Sequence, residues 1–203
     1  WRNEMNPASQ FSLTEWERHV TDPAMPWRAV FLEPAAVDGD DFTDLVAGGW
    51  WYRNPGSASG TWVRTDIGLP LRNMAAVYDF DGDGHLDVLG TQGEDYDDNS
   101  DFAWARNDGA GGFTIFENVE SAVGTFLQGT AVSSFAPGGP LQVVLSWQNG
   151  YDTQMLTVPA PPDSALWTWA VAADTSLGEG LDVGDIDGDG DLDLLQGIQW
   201  LRN

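Results

Sequence analysis

Two short acidic segments contain the residues of this chain that are best suited to chemistry. They read DFDGDGHLD at residues 79–87 and DIDGDGDLD at residues 185–193, and we name them loop 2 and loop 4. Glycines at positions 4 and 6 of each segment permit the positive φ angles of a tight turn. Aspartates occupy positions 1, 3, 5 and 9: Asp79, Asp81, Asp83 and Asp87 in loop 2, and Asp185, Asp187, Asp189 and Asp193 in loop 4.

The spacing of these aspartates predicts a calcium site in each loop. Alternate positions of a tight loop direct their carboxylates at one centre, and position 7, His85 or Asp191, would add a backbone carbonyl. Ca²⁺ takes about six to eight oxygen ligands, whereas Zn²⁺ prefers sulfur and nitrogen, and the chain has no cysteine and two histidines. The alternative is a pair of solvated turns, in which four converging carboxylates without a cation would repel one another strongly.

An EF-hand also begins D-x-D-x-D-G and is the obvious rival interpretation of these loops. It needs a glutamate at position 12 and a helix on each side. Position 12 here is Gly90 in loop 2 and Gln196 in loop 4, and the flanking residues have the pattern of strands. We therefore interpret both segments as strand-to-strand loops, and a dockerin-like pair of helices fails on the same point.

Two further segments align with these loops but lack acidic positions. Residues 36–44, named loop 1, have Ala36 at position 1 and replace a turn glycine by Asp41. The aspartates that loop 1 retains are Asp38, Asp40 and Asp44. Residues 134–142, named loop 3, have no carboxylate at any of the equivalent positions. We expect a weaker calcium site in loop 1 and no metal in loop 3.

The loops are positioned by a repeated pattern of short strands. The best copy predicts strands at residues 74–80, 86–91, 102–107 and 113–119. These windows alternate or run apolar over a few residues, and glycines interrupt every window long enough for a good helix. A phrase W-x-R-N, or a variant of it, recurs near residues 1, 51, 104, 147 and 200. Four short antiparallel strands in about 50 residues are typical of one β-propeller blade.

We predict an all-β fold of β-propeller blades, each with four antiparallel strands, over four repeat periods. Residues 28–68 and 72–121 are predicted to form blades, residues 126–173 a degenerate blade, and residues 1–22 and 178–203 partial blades. The sequence starts and ends at the same phase of the repeat, with WRN at residues 1–3 and WLRN at residues 200–203. The pattern fits either a closed small propeller or part of a longer one, with self-association or further blades of a longer chain covering open edges.

These motifs resemble the FG-GAP/VCBS repeat family of calcium-binding β-propellers. The resemblance rests on the D-x-D-G-D-G-x-x-D loops, on the L-D-(V/L)-L strand at their end, and on W-x-R-N-P-G…W at residues 51–62. The family includes integrin α-subunit heads, fungal lectins and propellers of bacterial polysaccharide-degrading enzymes. The resemblance implies a seven- or eight-bladed ring, of which this chain would be a part. It also implies calcium between the first and second strands on one face of the ring, with ligands usually on the other face.

Composition argues against several classes of partner and reaction. The net charge is −24 and the basic residues are eight arginines, so nucleic acid and anionic membrane surfaces are not expected partners. No apolar run reaches the ~20 residues of a membrane-spanning helix. Neither His19 nor His85 has a serine or carboxylate partner that the sequence marks, so we expect structural histidines and assign no catalytic residue.

Aromatic side chains supply candidate ligand contacts, because their flat faces stack on sugar rings. Most tryptophans are expected to fill the space between blades. Trp27, Trp50 and Trp200 are expected near loops on the face opposite the calcium loops, and Tyr96 lies in an acidic insertion expected on that same face. The leading hypothesis is a non-catalytic, calcium-stabilised module that binds a glycan or an extracellular protein.

Two other functional hypotheses stay open. One is a polysaccharide lyase or hydrolase built on the propeller, and the other is a purely structural module of a larger secreted protein. Calcium modules with dissociation constants of ~10⁻⁴–10⁻³ M fill outside the cell and not in cytosol. The expected location is therefore extracellular or at the cell surface, in a secreted bacterial protein.

Overall fold

The computed structural model describes residues 17–94, 100–148, 151–177 and 180–203. Within these ranges the chain is all-β, and none of the described elements is a helix. No helix there is long and apolar enough to cross a membrane. The strands are β1 Leu32–Ala35, β2 Asp44–Ala47, β3 Trp50–Arg53, β4 Val63–Asp66, β5 Asn73–Tyr78, β6 Asp87–Thr91, β7 Phe102–Asn107, β8 Phe113–Phe116, β9 Leu127–Ser133, β10 Gln142–Trp147, β11 Thr153–Thr157, β12 Thr168–Ala173, β13 Leu181–Gly184, β14 Asp193–Gln196 and β15 Gln199–Leu201.

The strands form four sheets arranged as a four-bladed β-propeller, which confirms the predicted fold class. Blade 1 is β1-β2-β3-β4, blade 2 is β5-β6-β7-β8, blade 3 is β9-β10-β11-β12, and blade 4 is β13-β14-β15. Neighbouring strands within each blade are antiparallel and consecutive in the chain. Loops 1 to 4 each connect the first strand of a blade to the second.

In blades 1 to 3, one residue of the third strand packs toward the next blade. In blades 1 and 2 this residue is tryptophan, paired across the sheet as Val46↔Trp51 and Leu89↔Trp104. Trp51 packs in one buried cluster with residues of blade 2. Trp104 stacks on Trp167 of blade 3, with ring centroids 5.7 Å apart. Buried aromatic area of this kind holds successive blades together.

The third blade departs from this pattern in a way that the recurring phrase concealed. The sequence WQN at residues 147–149 resembles the third-strand phrase, but Trp147 ends β10, the second strand of its blade. The residue equivalent to Trp51 and Trp104 is Met155, which pairs with Val144. Met155 packs toward the fourth blade, in a cluster that includes Leu194.

Trp200 is the second residue of β15 and follows closely on the turn that joins β14 to β15. It pairs with Leu195. This is the position that Trp51 and Trp104 occupy in their blades. Trp200 is 44% exposed, whereas Trp51 is 6% and Trp104 is 0% exposed. Trp200 therefore has the strand position of Trp51 and Trp104 but not their burial.

The contrast between Trp104 and Trp200 gives a test of how the blades are held together. Trp104→Ala should lower the free energy of unfolding by about 3–5 kcal/mol, because it empties a fully buried site between blades 2 and 3. Trp200→Ala, the matched control, should cost about 1 kcal/mol or less. Urea unfolding followed by fluorescence measures both values. Equal losses would contradict the packing described here.

Candidate metal centres

In loop 2 the first aspartate organises the backbone of the turn. Asp79 Oδ1 accepts hydrogen bonds from the N–H groups of Gly82 (2.8 Å) and Asp83 (3.1 Å), and Oδ2 accepts one from Gly84 (2.9 Å). The two glycines have φ angles of 76° and 91°, which residues with a Cβ rarely adopt. The glycine spacing noted in the sequence is therefore a requirement of this winding.

The aspartate at position 9 fixes the loop to the sheet. Asp87 is fully buried, and its two oxygens accept N–H groups from Phe80 (3.1 Å) and Asn107 (2.9 Å). Phe80 is at position 2 of the same loop, and Asn107 ends the third strand. Asp87 thus joins the start of the loop to β7, and it presents its carboxylate toward the loop centre.

Three of the predicted ligands of loop 2 converge. Carboxylate oxygens of Asp79, Asp81 and Asp87 lie within 4.8 Å of one another. The side chain of Asp83 is outside this group and accepts the N–H of His85 at 2.8 Å. The imidazole of His85 lies against the turn after β7, where a Cβ added to Gly109 would come within 2.3 Å of the ring.

Loop 4 has the same construction. Asp185 accepts the N–H groups of Gly188 (2.7 Å), Asp189 (3.1 Å) and Gly190 (3.2 Å). The buried Asp193 accepts those of Ile186 (2.9 Å) and Asn203 (3.0 Å). Oxygens of Asp185, Asp187 and Asp193 form the second group within 4.8 Å, and the described residues hold these two groups. The side chains of Asp189 and Asp191 are outside that group.

Loop 1 keeps the scaffold but not the full set of acids. Asp44 is fully buried and accepts the N–H groups of Val37 (3.3 Å) and Asn54 (2.7 Å), as its counterparts do. Position 1 is Ala36 and offers no carboxylate. The guanidinium of Arg53 lies 2.6 Å from Asp38 and 3.5 Å from Asp40. One arginine is therefore shared by two of the acids that loop 1 retains.

Loop 3 closes without any carboxylate. The hydroxyl of Ser134 lies 2.9 Å from the carbonyl oxygen of Gly139, and Gln142 stands where the other loops have a buried aspartate. At the end of the third strand, Val158 N–H donates directly to the Leu141 carbonyl at 2.9 Å. The blade can therefore close this junction through its backbone alone.

The two equivalent buried aspartates differ in their electrostatics. Burial raises the pKa of Asp87 to about 7, and the charges of Asp81 and Asp83 add to this, although two backbone N–H groups oppose it. Burial also acts to raise the pKa of Asp193, but the N–H groups of Asn203 and Ile186 outweigh it and the net direction is downward. Loop 2 thus holds an acid that is not stably charged without a cation.

The arginine and asparagine of the W-x-R-N phrase belong to the site, which the sequence did not reveal. The Asn107 amide donates to the carbonyl of Val37 in loop 1 at 2.7 Å, and that of Asn203 donates to Phe135 in loop 3 at 2.9 Å. Arg202 lies 2.6 Å from Asp187 and 2.9 Å from Asp189. Its hydrogen bond holds the pKa of Asp189 below the ordinary value. The recurrence of the phrase was the only signal in the sequence.

The chemistry of the donor set fits a hard divalent cation. Each converging group consists of three carboxylates, and Ca²⁺ takes oxygen ligands of this kind. A bound cation would offset the repulsion between the aspartates and favour the charged form of the buried Asp87. The residues that would hold it are Asp79, Asp81 and Asp87 in loop 2 and Asp185, Asp187 and Asp193 in loop 4.

A second candidate site involves two of the four predicted aromatic residues. Trp27 and Trp50 are in contact, with ring centroids 4.3 Å apart and planes inclined by 45°. They line a cleft of about 450 Å³ together with Leu69, Arg72 and Asp66, among other residues. Trp200 belongs to blade 4 and does not line this cleft, and Tyr96 lies outside the described residues.

The segment that carries Trp27 is anchored to blade 1 by polar contacts. Asp22 accepts hydrogen bonds from Tyr52 Oη (3.3 Å) and from Arg64 (2.6 Å). Burial, followed by the charge of Asp22, raises the pKa of Tyr52 to about 12, so the phenol stays protonated and donates. The cleft is therefore held by an ordered segment and a sheet.

Comparison with known proteins adds no relative to these observations. No protein-family model matches the chain, no curated protein matches it, and no solved structure matches it.

The raised pKa of Asp87 predicts a pH dependence of the metal-free protein. The native carboxyl keeps its proton to about pH 7, whereas the unfolded chain loses it near pH 4. Between these values the native state binds more protons, so the free energy of unfolding should fall as pH rises from 5 to 8.

Urea unfolding in chelator across that range measures this slope. Asp87→Asn should remove most of the decline. Asp193→Asn is the matched control, because the pKa of Asp193 is lowered and its titration lies below this window. If the free energy of unfolding fell with pH equally in the wild type and in Asp87→Asn, the raised pKa of Asp87 would not be the cause of the decline.

Proposed function

We propose that the protein is a calcium-stabilised β-propeller module that works outside the cell and binds a glycan through blade 1. The observation that carries the calcium proposal is the repeated geometry of loops 2 and 4. Each brings three aspartate carboxylates within 4.8 Å on the same scaffold of backbone hydrogen bonds. The resemblance of these loops to FG-GAP/VCBS repeats supports the same ion.

Calcium would stabilise more than the loop that holds it. In loop 2 the ion would contact Asp87, which also holds the N–H of Asn107. The side chain of Asn107 in turn donates to Val37 in the preceding blade. A cation in loop 2 would therefore strengthen the junction between blades 1 and 2, and the Asn203 contact to Phe135 extends this logic to blades 3 and 4.

The extracellular location follows from the calcium proposal. Calcium sites of extracellular modules have dissociation constants of ~10⁻⁴–10⁻³ M. Sites of that strength fill at the calcium concentration outside cells. An ion that binds the folded loop and not the unfolded chain stabilises the fold by mass action.

The glycan proposal rests on the cleft between Trp27 and blade 1. Trp27 is half-buried and packs on Trp50, and the guanidinium of the half-buried Arg72 lies over its ring, 6.0 Å from the ring centre. The exposed Asp66 adds a polar group to the lining. Sugar recognition combines an apolar ring surface with a few placed polar groups. Arg72 is itself paired with Glu94, which orients the guanidinium beside the cleft.

A calcium titration tests the metal proposal. At a calcium concentration about 100-fold above the dissociation constant, each filled site should add about 2.7 kcal/mol, which raises the melting temperature by roughly 5–10 °C. Asp81→Ala and Asp187→Ala should each remove most of one site's share. Asp38→Ala is the control and should remove much less, because Asp38 is already paired with Arg53 and loop 1 has no acid at position 1. A melting temperature that ignores both calcium and chelator would overturn the proposal.

A glycan array in calcium buffer tests the second part. We expect binding by the wild type and at least a tenfold loss of affinity in Trp27→Ala, since aromatic stacking contributes about 1.4 kcal/mol or more in such sites. Trp200→Ala removes a partly exposed tryptophan from another blade and should bind as the wild type does. Binding that survives Trp27→Ala would place the ligand elsewhere.

A further inference from the structure

Three arginines occupy the same position in three blades but contact different groups. They are Arg53, Arg106 and Arg202, each followed by the asparagine that ends the W-x-R-N phrase. Arg53 turns to the acids of loop 1 and Arg202 to those of loop 4. Arg106 turns away from loop 2, toward Asp163 at 3.4 Å, and its guanidinium lies 5.1 Å from the centre of the Phe116 ring.

In loop 4, Arg202 contacts the carboxylate oxygens of Asp187 and Asp189 that accept no backbone hydrogen bond from the turn. The Oδ1 atoms of Asp187 and Asp189 accept backbone N–H groups of the turn, at 3.3 and 3.1 Å. The Oδ2 atoms of the same residues contact the guanidinium of Arg202, at 2.6 and 2.9 Å. The guanidinium of Arg202 and a calcium ion in loop 4 would therefore compete for the same carboxylates.

Loop 2 has the same backbone contacts without the arginine. Asp83 N–H donates to Asp81 Oδ1 at 3.2 Å, and His85 N–H donates to Asp83 Oδ1 at 2.8 Å. The arginine of this blade is held by Asp163 and Phe116 of its surroundings. The negative charge of loop 2 is therefore not paired with this arginine, and a diffusible cation could bind it.

We propose that Arg202 is a tethered competitor of calcium in loop 4, and that Arg53 replaces the ion in loop 1. This inference rests on the proposed calcium function and deepens it. The loops then form a graded series in which loop 2 binds calcium most tightly, loop 4 less tightly and loop 1 least. The side chain of Arg202 is 62% exposed, so it can swing into solvent when the ion enters.

Counting acids gives the opposite order, which makes the proposal specific. Loop 4 has five aspartates, because Asp191 stands where loop 2 has His85. More carboxylates favour a divalent cation, so charge alone would make loop 4 the tighter site. The arginine reverses this order, and calcium would fill loop 2 before loop 4 as its concentration rises.

Calorimetric calcium titration of one loop at a time tests the competition. The double variant Asp81→Asn/Asp83→Asn disables loop 2, so that the titration measures calcium binding by loop 4. In that background Arg202→Gln should tighten calcium binding about three- to tenfold, the range expected for losing an exposed double ion pair.

The matched control makes the same change of net charge at the other loop. Asp187→Asn with Asp189→Asn disables loop 4, and Arg106→Gln in that background should change calcium binding by loop 2 less than about twofold. The two disabled backgrounds, without arginine changes, give the order of affinities directly. We expect loop 2 to be the tighter site.

Three results would overturn the inference. Unchanged or weaker calcium binding in Arg202→Gln would mean that the arginine supports the loop instead of competing. Equal tightening by Arg106→Gln would mean that only net charge matters. Failure of both backgrounds to take up calcium would defeat the proposed metal function itself, and the melting experiment with the unmodified protein would show that failure independently.

Discussion

The buried aspartate at position 9 of the loops is the interaction on which the acidic edge of this propeller depends. Asp44, Asp87 and Asp193 are each fully buried, and each joins a first-strand loop to the end of a third strand through two backbone N–H groups. Blade 3 makes the corresponding junction through a backbone hydrogen bond of Val158. Closing a blade therefore does not require a buried charge. Its presence in the other blades has a cost in desolvation, which a cation in loop 2 or loop 4 would offset.

The blades differ in whether an arginine pairs with the acids of the loop that contains this aspartate. In loop 1 the positive charge is Arg53, in loop 4 it is Arg202, and in loop 2 the equivalent arginine is held by the next blade. Two of the asparagines beside these arginines, Asn107 and Asn203, link neighbouring blades, because their side chains donate to carbonyl groups of the preceding loop. Asn54 donates instead to Thr43 of its own loop. Neutralisation of one loop is thereby linked to the packing of two sheets. A substitution that alters the charge of one loop should consequently change the free energy of unfolding and not only the local conformation of that loop.

The fold and the loops could be predicted from sequence because their signals are local. Alternating apolar residues define the strands, and the spacing of Asp79, Gly82 and Gly84 follows from the hydrogen bonds of one turn. Packing between blades is not local, and there the sequence misled us. WQN at residues 147–149 has the letters of the third-strand phrase, but its Trp147 ends a second strand. The exposure of Trp200, 44% at a strand position where Trp51 and Trp104 are buried, is likewise set by packing between blades. The direction of an arginine is harder still, since Arg106 is turned by Asp163, which is 57 residues away in the chain.

The candidate ligand cleft arises where blade 1 differs from the other blades on its outer face. On blade 2 this face presents Ala103 and Ala105, which leave room for the ring of Trp51. The equivalent residues of blade 1, by their pairing with the second strand, are Trp50 and Tyr52. A tryptophan approaching blade 1 in the manner of Trp51 would meet these large rings instead of alanine methyl groups. The face packs instead against Met25, Trp27 and Ala29. The cleft lies beside Trp27 and Trp50, so the large side chains at these positions help to form the surface proposed to bind a ligand.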